Sequence, residues 1–226
     1  MGVRRRGVLW RVALVLACLL VLPLLGSPAS GTVAGSLSAS RSRGLPGEAL
    51  TFRGTLPTRV VRPVQLQRQL GTTWYAVVSG KTTRAGAITL TTRLHAMPTN
   101  YYRVFAKAVT INGRRYGALA TPTRSVVADQ QDTTLTLPAR AAQGTQASAT
   151  VKTWPVRVGR PVVLQARNPD GSWTDISGPL ATDSAGAATI AFTVPPPGTA
   201  TYRARSLGWN GVGWYPSFPV VLEVTP

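Results

Sequence analysis

Beyond its first thirty positions the chain alternates apolar and polar residues. Leu50 and Phe52 interleave with Thr51 and Arg53, and Ile88, Leu90 and Leu94 with Thr89, Thr91 and Arg93. Further on, Ile190, Phe192 and Val194 interleave with Thr189, Ala191 and Thr193, and Val220, Leu222 and Val224 with Val221, Glu223 and Thr225. A period of two puts every second side chain on one face, which is the pattern of a strand with one side buried. Turn-forming residues punctuate the runs: Asn112-Gly113, Pro169-Asp170-Gly171 and Asn210-Gly211. The Asn-Gly pairs suit two-residue hairpin turns, which need positive φ at both central positions. Short strands of this kind, separated by turns, predict an all-β protein of antiparallel β-sandwich type.

The pattern occurs twice. "RPVQLQRQLGTTW", from Arg62 to Trp74, returns as "RPVVLQARNPDGSW", from Arg160 to Trp173. "TTRAGAITL" (Thr82 to Leu90) returns as "TDSAGAATI" (Thr182 to Ile190), Tyr102-Arg103 as Tyr202-Arg203, and Asn112-Gly113 as Asn210-Gly211. The repeat is far longer than the roughly 20–50 residues of a solenoid unit. It predicts two tandem domains, residues 30–128 and 129–226, each large enough to hold a core. Within each copy the proline opens a strand, where its missing N–H costs least. Val64, Leu66, Val162 and Leu164 are expected to face inward, with Trp74 and Trp173 closing the core after a turn.

The order "RPVxLQ…W…T…AG…YR" resembles the immunoglobulin-like or fibronectin type III-like modules of exported and envelope proteins of high-GC Gram-positive bacteria. The resemblance covers nearly all the chain after residue 29. It implies a strand–turn–strand around each Trp and a following strand that opens with Tyr. It also implies that Tyr102 and Tyr202 act as tyrosine corners, the hydroxyl bonding a backbone group upstream. The chain departs from antibody-type domains in lacking an inter-sheet cysteine pair.

The start of the chain reads as an export signal. Arg4, Arg5 and Arg6 precede an apolar run from Val12 to Leu25, and Ser27-Pro28-Ala29 fits a small-x-small cleavage site. Residues 1–29 are therefore expected to be a signal peptide, with an uncleaved anchor as the alternative. The expected location is secreted or extracellular, in association with the cell envelope, with no stable membrane span once the signal is removed. The one cysteine, Cys18, lies inside the apolar run. A chain cleaved after Ala29 has no thiol for a disulfide, a nucleophile or a zinc–cysteine site.

Charge separates the two copies. The 226-residue chain has 25 Lys or Arg against 7 Asp or Glu, a formal net charge of +18. Between Pro46 and Ala128 there are twelve basic residues and a single acid, Glu48, whereas Asp129 to Pro226 holds seven basic and six acidic residues. The first domain is therefore expected to face an anionic surface, with Arg53 and Arg93 among its contacts. The candidate partners are a cell-wall polymer, an anionic surface or an envelope protein; nucleic acid fits the charge but not the location.

Catalysis finds no constellation. His95 is the only histidine, and it lacks the partners that a triad or a zinc site needs. The only near pairs of carboxylates, Asp129 with Asp132 and Asp170 with Asp175, fall in linker or turn sequence and are too few for a calcium cage. No cofactor, metal site or enzymatic activity is expected. The hairpin tips are the better candidates for recognition, because sandwich scaffolds present binding residues on loops. The first tip offers Arg114, Arg115 and Tyr116, and the second offers Trp209, Trp214 and Tyr215. A two-residue Asn-Gly turn would set Leu207 opposite Trp214 and make Trp209 and Trp214 diagonal neighbours on an outward face. The function expected is non-catalytic adhesion or scaffolding through sandwich surfaces and these hairpin loops. The alternative is a pair of carbohydrate-binding modules that use exposed aromatics.

Overall fold

The computed structural model describes residues 31–226, so the expected signal peptide at 1–29 lies outside the described residues. The alternating runs become strands, and among the described residues no helix forms. In the N-terminal half, Ser36–Ala39, Ala49–Thr55 and Ala87–Arg93 make an antiparallel three-stranded sheet with Ala49–Thr55 in the middle. A seven-stranded sheet is built around Thr99–Ala106. Pro63–Leu70 pairs with one side of that strand and carries Thr73–Lys81 as its outer neighbour. Leu119–Ala120 and Arg124–Ala128 pair with the other side, and the short strands Thr32–Val33 and Arg43–Gly44 run parallel to them.

The C-terminal half repeats this plan. Asp132–Thr136, Gln146–Trp154 and Ala187–Thr193 make the three-stranded sheet. The larger sheet centres on Gly198–Ser206, with Pro161–Arg167 on one side and Val220–Thr225 and Tyr215–Pro216 on the other. Arg140–Ala142 runs parallel to Val220–Thr225. The second half differs at its edge. Where Thr73–Lys81 is one continuous nine-residue strand, its counterpart is two short pieces, Trp173–Asp175 and Leu180–Ala181. All these pairings lie within 32–128 or within 132–225, yet Gly31–Pro226 forms one compact unit.

Each half has its own core, filled from both sheets. In the first, Leu50, Phe52, Ile88 and Leu90 from the small sheet meet Val64, Leu66, Tyr102, Val104 and Val126 from the large one. In the second, Ala149, Val151, Ile190 and Phe192 meet Val162, Leu164, Tyr202, Ala204 and Leu222. Burying each of these large aliphatic or aromatic side chains contributes about 1.5–3 kcal/mol. Val64, Leu66, Val162 and Leu164 are buried as the alternation predicts. Pro63 and Pro161 open their strands.

The tryptophans do not close the cores. Strand pairing sets Trp74 opposite Gln69 and Trp173 opposite Arg167, in step with Gln67 and Gln165 and out of step with the inward Leu66 and Leu164. Both indoles therefore lie half-buried on the outer face of the large sheet. There the Arg103 guanidinium lies 4.3 Å from the Trp74 ring centroid and donates from Nε to Gln67 Oε1 at 2.9 Å. Arg203 repeats the arrangement over Trp173, at 4.3 Å, with Gln165 Oε1 at 2.7 Å. The motif elements "LQ", "W" and "YR" thus meet in an external cation–π stack, a contact of about 0.5–1 kcal/mol when exposed.

The expected tyrosine-corner bond does not form at Tyr102. The Tyr102 hydroxyl is buried without a hydrogen-bond partner. Burial raises its pKa, an effect that the charge of Arg68 partly offsets. The corner is capped instead by buried Asn100, whose Nδ2 donates to the carbonyls of His95 at 3.1 Å and Met97 at 2.8 Å. Tyr102 packs on Phe52, with centroids 4.7 Å apart, and Tyr202 on Phe192 at 5.1 Å.

Candidate functional site

The antiparallel register assigns every loop of the N-terminal half to one of two ends. Thr55 pairs with Ala87, Pro63 with Lys81, and Leu119 with Ala106. Loops 56–62, 82–86 and 107–118 therefore gather at one end, here the upper end. Ala49 pairs with Arg93, so residues 44–48 and 94–98 lie at the lower end.

A buried arginine joins the three upper loops. Arg62 is 1% exposed, and its Nη2 donates to the carbonyls of Lys107 and, at 2.9 Å, of Gly117. Its main chain is tied to Thr82: the Arg62 N–H donates to Thr82 Oγ1 at 3.1 Å, and the Thr82 N–H donates to the Arg62 carbonyl at 3.0 Å. Thr82 Oγ1 in turn donates to the Val60 carbonyl at 3.1 Å. Desolvation lowers the guanidinium pKa, but an arginine stays charged at any ordinary pH. Loss of this cation would leave buried carbonyls unpaired, at about 1–3 kcal/mol each.

The second half repeats the device. Arg160 is 0% exposed, and its Nη2 donates to Gln131 Oε1 at 2.5 Å and to the Gly213 carbonyl at 3.1 Å. Thr182 takes the part of Thr82, accepting from the Arg160 N–H at 3.1 Å and donating to the Arg157 carbonyl at 2.7 Å. Burial lowers the Arg160 pKa, with repulsion from Arg157 adding to the effect and Glu48 opposing it. The residue that heads each "RPV" motif is thus the hub of a loop cluster.

The loops held by Arg160 meet the lower end of the first half. Glu48, 4% exposed, receives a forked pair of bonds from Arg157: Nε to Oε1 at 2.6 Å and Nη2 to Oε2 at 3.1 Å. Arg41 and the Leu45 N–H also donate to Glu48 Oε2, at 2.7 and 3.0 Å. Burial alone would raise the Glu48 pKa; the bonds from Arg157 and Leu45 and the charges of Arg157 and Arg41 outweigh it, so the pKa is lowered. The Arg157 pKa is raised, chiefly by its bond to Glu48. Beside this cluster the Gly47 and Gly211 backbones touch. A Cβ on Gly47 would lie 2.0 Å from the Gly211 carbonyl oxygen, and both glycines hold positive φ, 91° and 87°. Arg93 Nη1 donates to the Gly47 carbonyl at 2.8 Å and lies 3.4 Å from the Asn210 carbonyl.

The expected site residues divide between these two regions. Arg114, Arg115 and Tyr116 stand on the hairpin Val109–Ile111/Arg114–Tyr116 at the upper end, with both arginines exposed. The turn is the expected two-residue type, with φ of 49° at Asn112 and 74° at Gly113. Trp209 is half-buried and lines a groove of about 520 Å³ at the joint, together with Arg41, Glu48, Arg93 and Arg157. Tyr215 borders the other side of the joint, near Pro46 and Asp129. Trp214 is 61% exposed. Trp209 pairs with Val212 and Ser206 with Tyr215, a register that keeps Leu207 opposite Trp214 as expected, although the ladder is broken there. Arg53 is exposed on the small sheet and Arg93 is engaged at the joint, so neither adjoins Arg114 and Arg115.

His95 is exposed, and its carbonyl serves the Asn100 cap. Asp129 is taken by Arg43, with Oδ1 accepting at 2.5 and 3.0 Å. No group of three potential metal-ligating side chains gathers among the described residues. No protein-family model matches the chain, and no curated protein matches it.

Proposed function

We propose that the chain is an exported, non-catalytic adhesion or scaffolding protein of the cell envelope. In this reading residues 1–29 are its signal peptide, and residues 30–128 and 129–226 are two immunoglobulin-like or fibronectin type III-like sandwiches. The first sandwich holds anionic envelope material, and the second is its rigid support. One observation carries the proposal: residues 31–128 contain one carboxylate, Glu48, and it is consumed by Arg41 and Arg157 at the joint, so that, apart from Arg41 and from Arg43 on Asp129, the exposed bases of that half make no salt bridge to a described carboxylate. A field of one sign draws an oppositely charged partner and weakens as salt screens it.

The test is retention of residues 31–226 on washed envelope material across a salt series. Binding at low ionic strength that is released as salt rises supports the proposal. Equal retention at all salt concentrations, or none at low salt, overturns it. Among the described tryptophans a carbohydrate platform would have to rest on Trp214 or Trp154, which are 61% and 52% exposed, since Trp209 lines the joint groove and Trp74 and Trp173 are covered by arginines.

A further inference from the structure

We infer that the upper end of the N-terminal half is a docking face for an anionic lipid surface. This rests on the anionic-partner reading above and names the partner class and the residues. The three loops tied by Arg62 and Thr82 bring six exposed bases to that end: Arg59, Lys81, Arg84, Lys107, Arg114 and Arg115. None of the six makes a salt bridge to a described carboxylate. Glu48, the only acid of this half, lies at the opposite end.

One further observation favours a bilayer over a soluble polyanion. Apolar side chains stand exposed among the bases: Val33 is 67% and Val61 49% exposed. Bases around apolar residues match an interface where headgroup charge overlies acyl chains. The chain also enters the fold at this end. Gly31 lies against Leu119 and Phe105, and Thr32–Val33 pairs with Leu119–Ala120.

The internal duplication gives the same end a binding role. In the C-terminal half the equivalent loops, held by Arg160, grip a carboxylate of the neighbouring half through Arg157. In the N-terminal half the equivalent loops carry more bases and meet no described carboxylate.

The test uses residues 31–226, which contain every described strand pairing and both cores. Sedimentation with vesicles of phosphatidylglycerol and phosphatidylcholine in equal parts is compared with sedimentation on phosphatidylcholine alone. Binding is expected only to the anionic vesicles. The combined variant Arg59→Ser, Arg84→Ser, Arg114→Ser, Arg115→Ser is expected to lose roughly a thousandfold in partitioning. A control with the same charge change elsewhere, Arg53→Ser, Arg124→Ser, Lys152→Ser, Arg167→Ser, should lose far less. Equal losses in the two variants, or equal binding to neutral vesicles, overturn the inference. Retention on immobilised polyphosphate without binding to anionic vesicles overturns the lipid assignment and leaves the anionic-partner reading standing. Failure to bind either anion, or washed envelope material, removes both.

Discussion

The two halves share a topology and a buried-arginine hub but use the hub differently. Arg62 holds loops that face outward, with the carbonyls of Lys107 and Gly117 as its acceptors. Arg160 holds loops that meet the other half, and one acceptor, Gln131, belongs to the connecting segment. One structural device therefore serves a free surface in one copy and a joint in the other. The cores diverge as well. Phe52 stands opposite Leu90 in the first half, where Ala149 stands opposite Ile190 in the second. The second half instead places Phe192 on its other outer-layer strand, opposite Ala147, where the first has Thr92 opposite Leu50. The aromatic partner of the core tyrosine has moved between neighbouring strands while the ring contact is kept. The core specifies an aromatic contact and tolerates a change in the strand that supplies it.

The comparison can be broken most directly at the hubs. Arg62→Ala and Arg160→Ala should each lower unfolding free energy by about 3 kcal/mol, because each leaves buried acceptors unpaired and a cavity behind. Denaturant titration measures this, and a loss below about 1 kcal/mol at either site would show that its hub is not structural. Only Arg160→Ala should also increase protease cutting near residues 129–132.

Glu48→Gln comes next, at about 2–3 kcal/mol, since it strands Arg157 against a neutral side chain. The pH dependence follows the same group. The folded Glu48 pKa lies below its unfolded value, so its stabilisation is fully present above the unfolded carboxylate pKa and is lost as pH falls through the folded one. Acid titration of the wild type and of Glu48→Gln should converge at low pH; parallel curves would place the acid sensitivity elsewhere.

The outer stacks are expected to contribute less. Trp74→Ala and Trp173→Ala should each cost about 1–2 kcal/mol, from lost half-buried area and the cation–π contact. A cost of about 3–5 kcal/mol, typical of a core Trp, would contradict the outward placement. Trp214→Ala sets the lower limit: its melting temperature should match that of the wild type, because the side chain is exposed.

Most of the fold was legible because period two and Asn-Gly turns act locally. The inward faces at Val64, Leu66, Val162 and Leu164 follow from alternation alone. The tryptophans were misplaced because large aromatics in small sandwiches are usually core, and only the cross-strand register shows that Trp74 is in step with Gln67. The repeated Gln and the Arg of "YR" carried that signal. The hubs were hidden for a different reason: Arg is rarely fully buried, so the matched Arg62 and Arg160 read as the polar prelude to a strand. Their partners include main-chain carbonyls 45 and 53 residues away, which no local pattern reveals. The joint at Glu48 joins side chains 109 residues apart, and only its isolation in a basic stretch set it apart.

The bare backbone meeting of Gly47 and Gly211 makes that point a hinge pin without padding. A Cβ on Gly47 would meet only backbone, and a Cβ on Gly211 would run into the Arg93 guanidinium and the Gly47 carbonyl. A single methyl would act as a wedge at the pivot, and its small displacement would be magnified along the length of the adjoining half. Gly47→Ala and Gly211→Ala are thus expected to change the angle between the two halves while leaving both interiors intact.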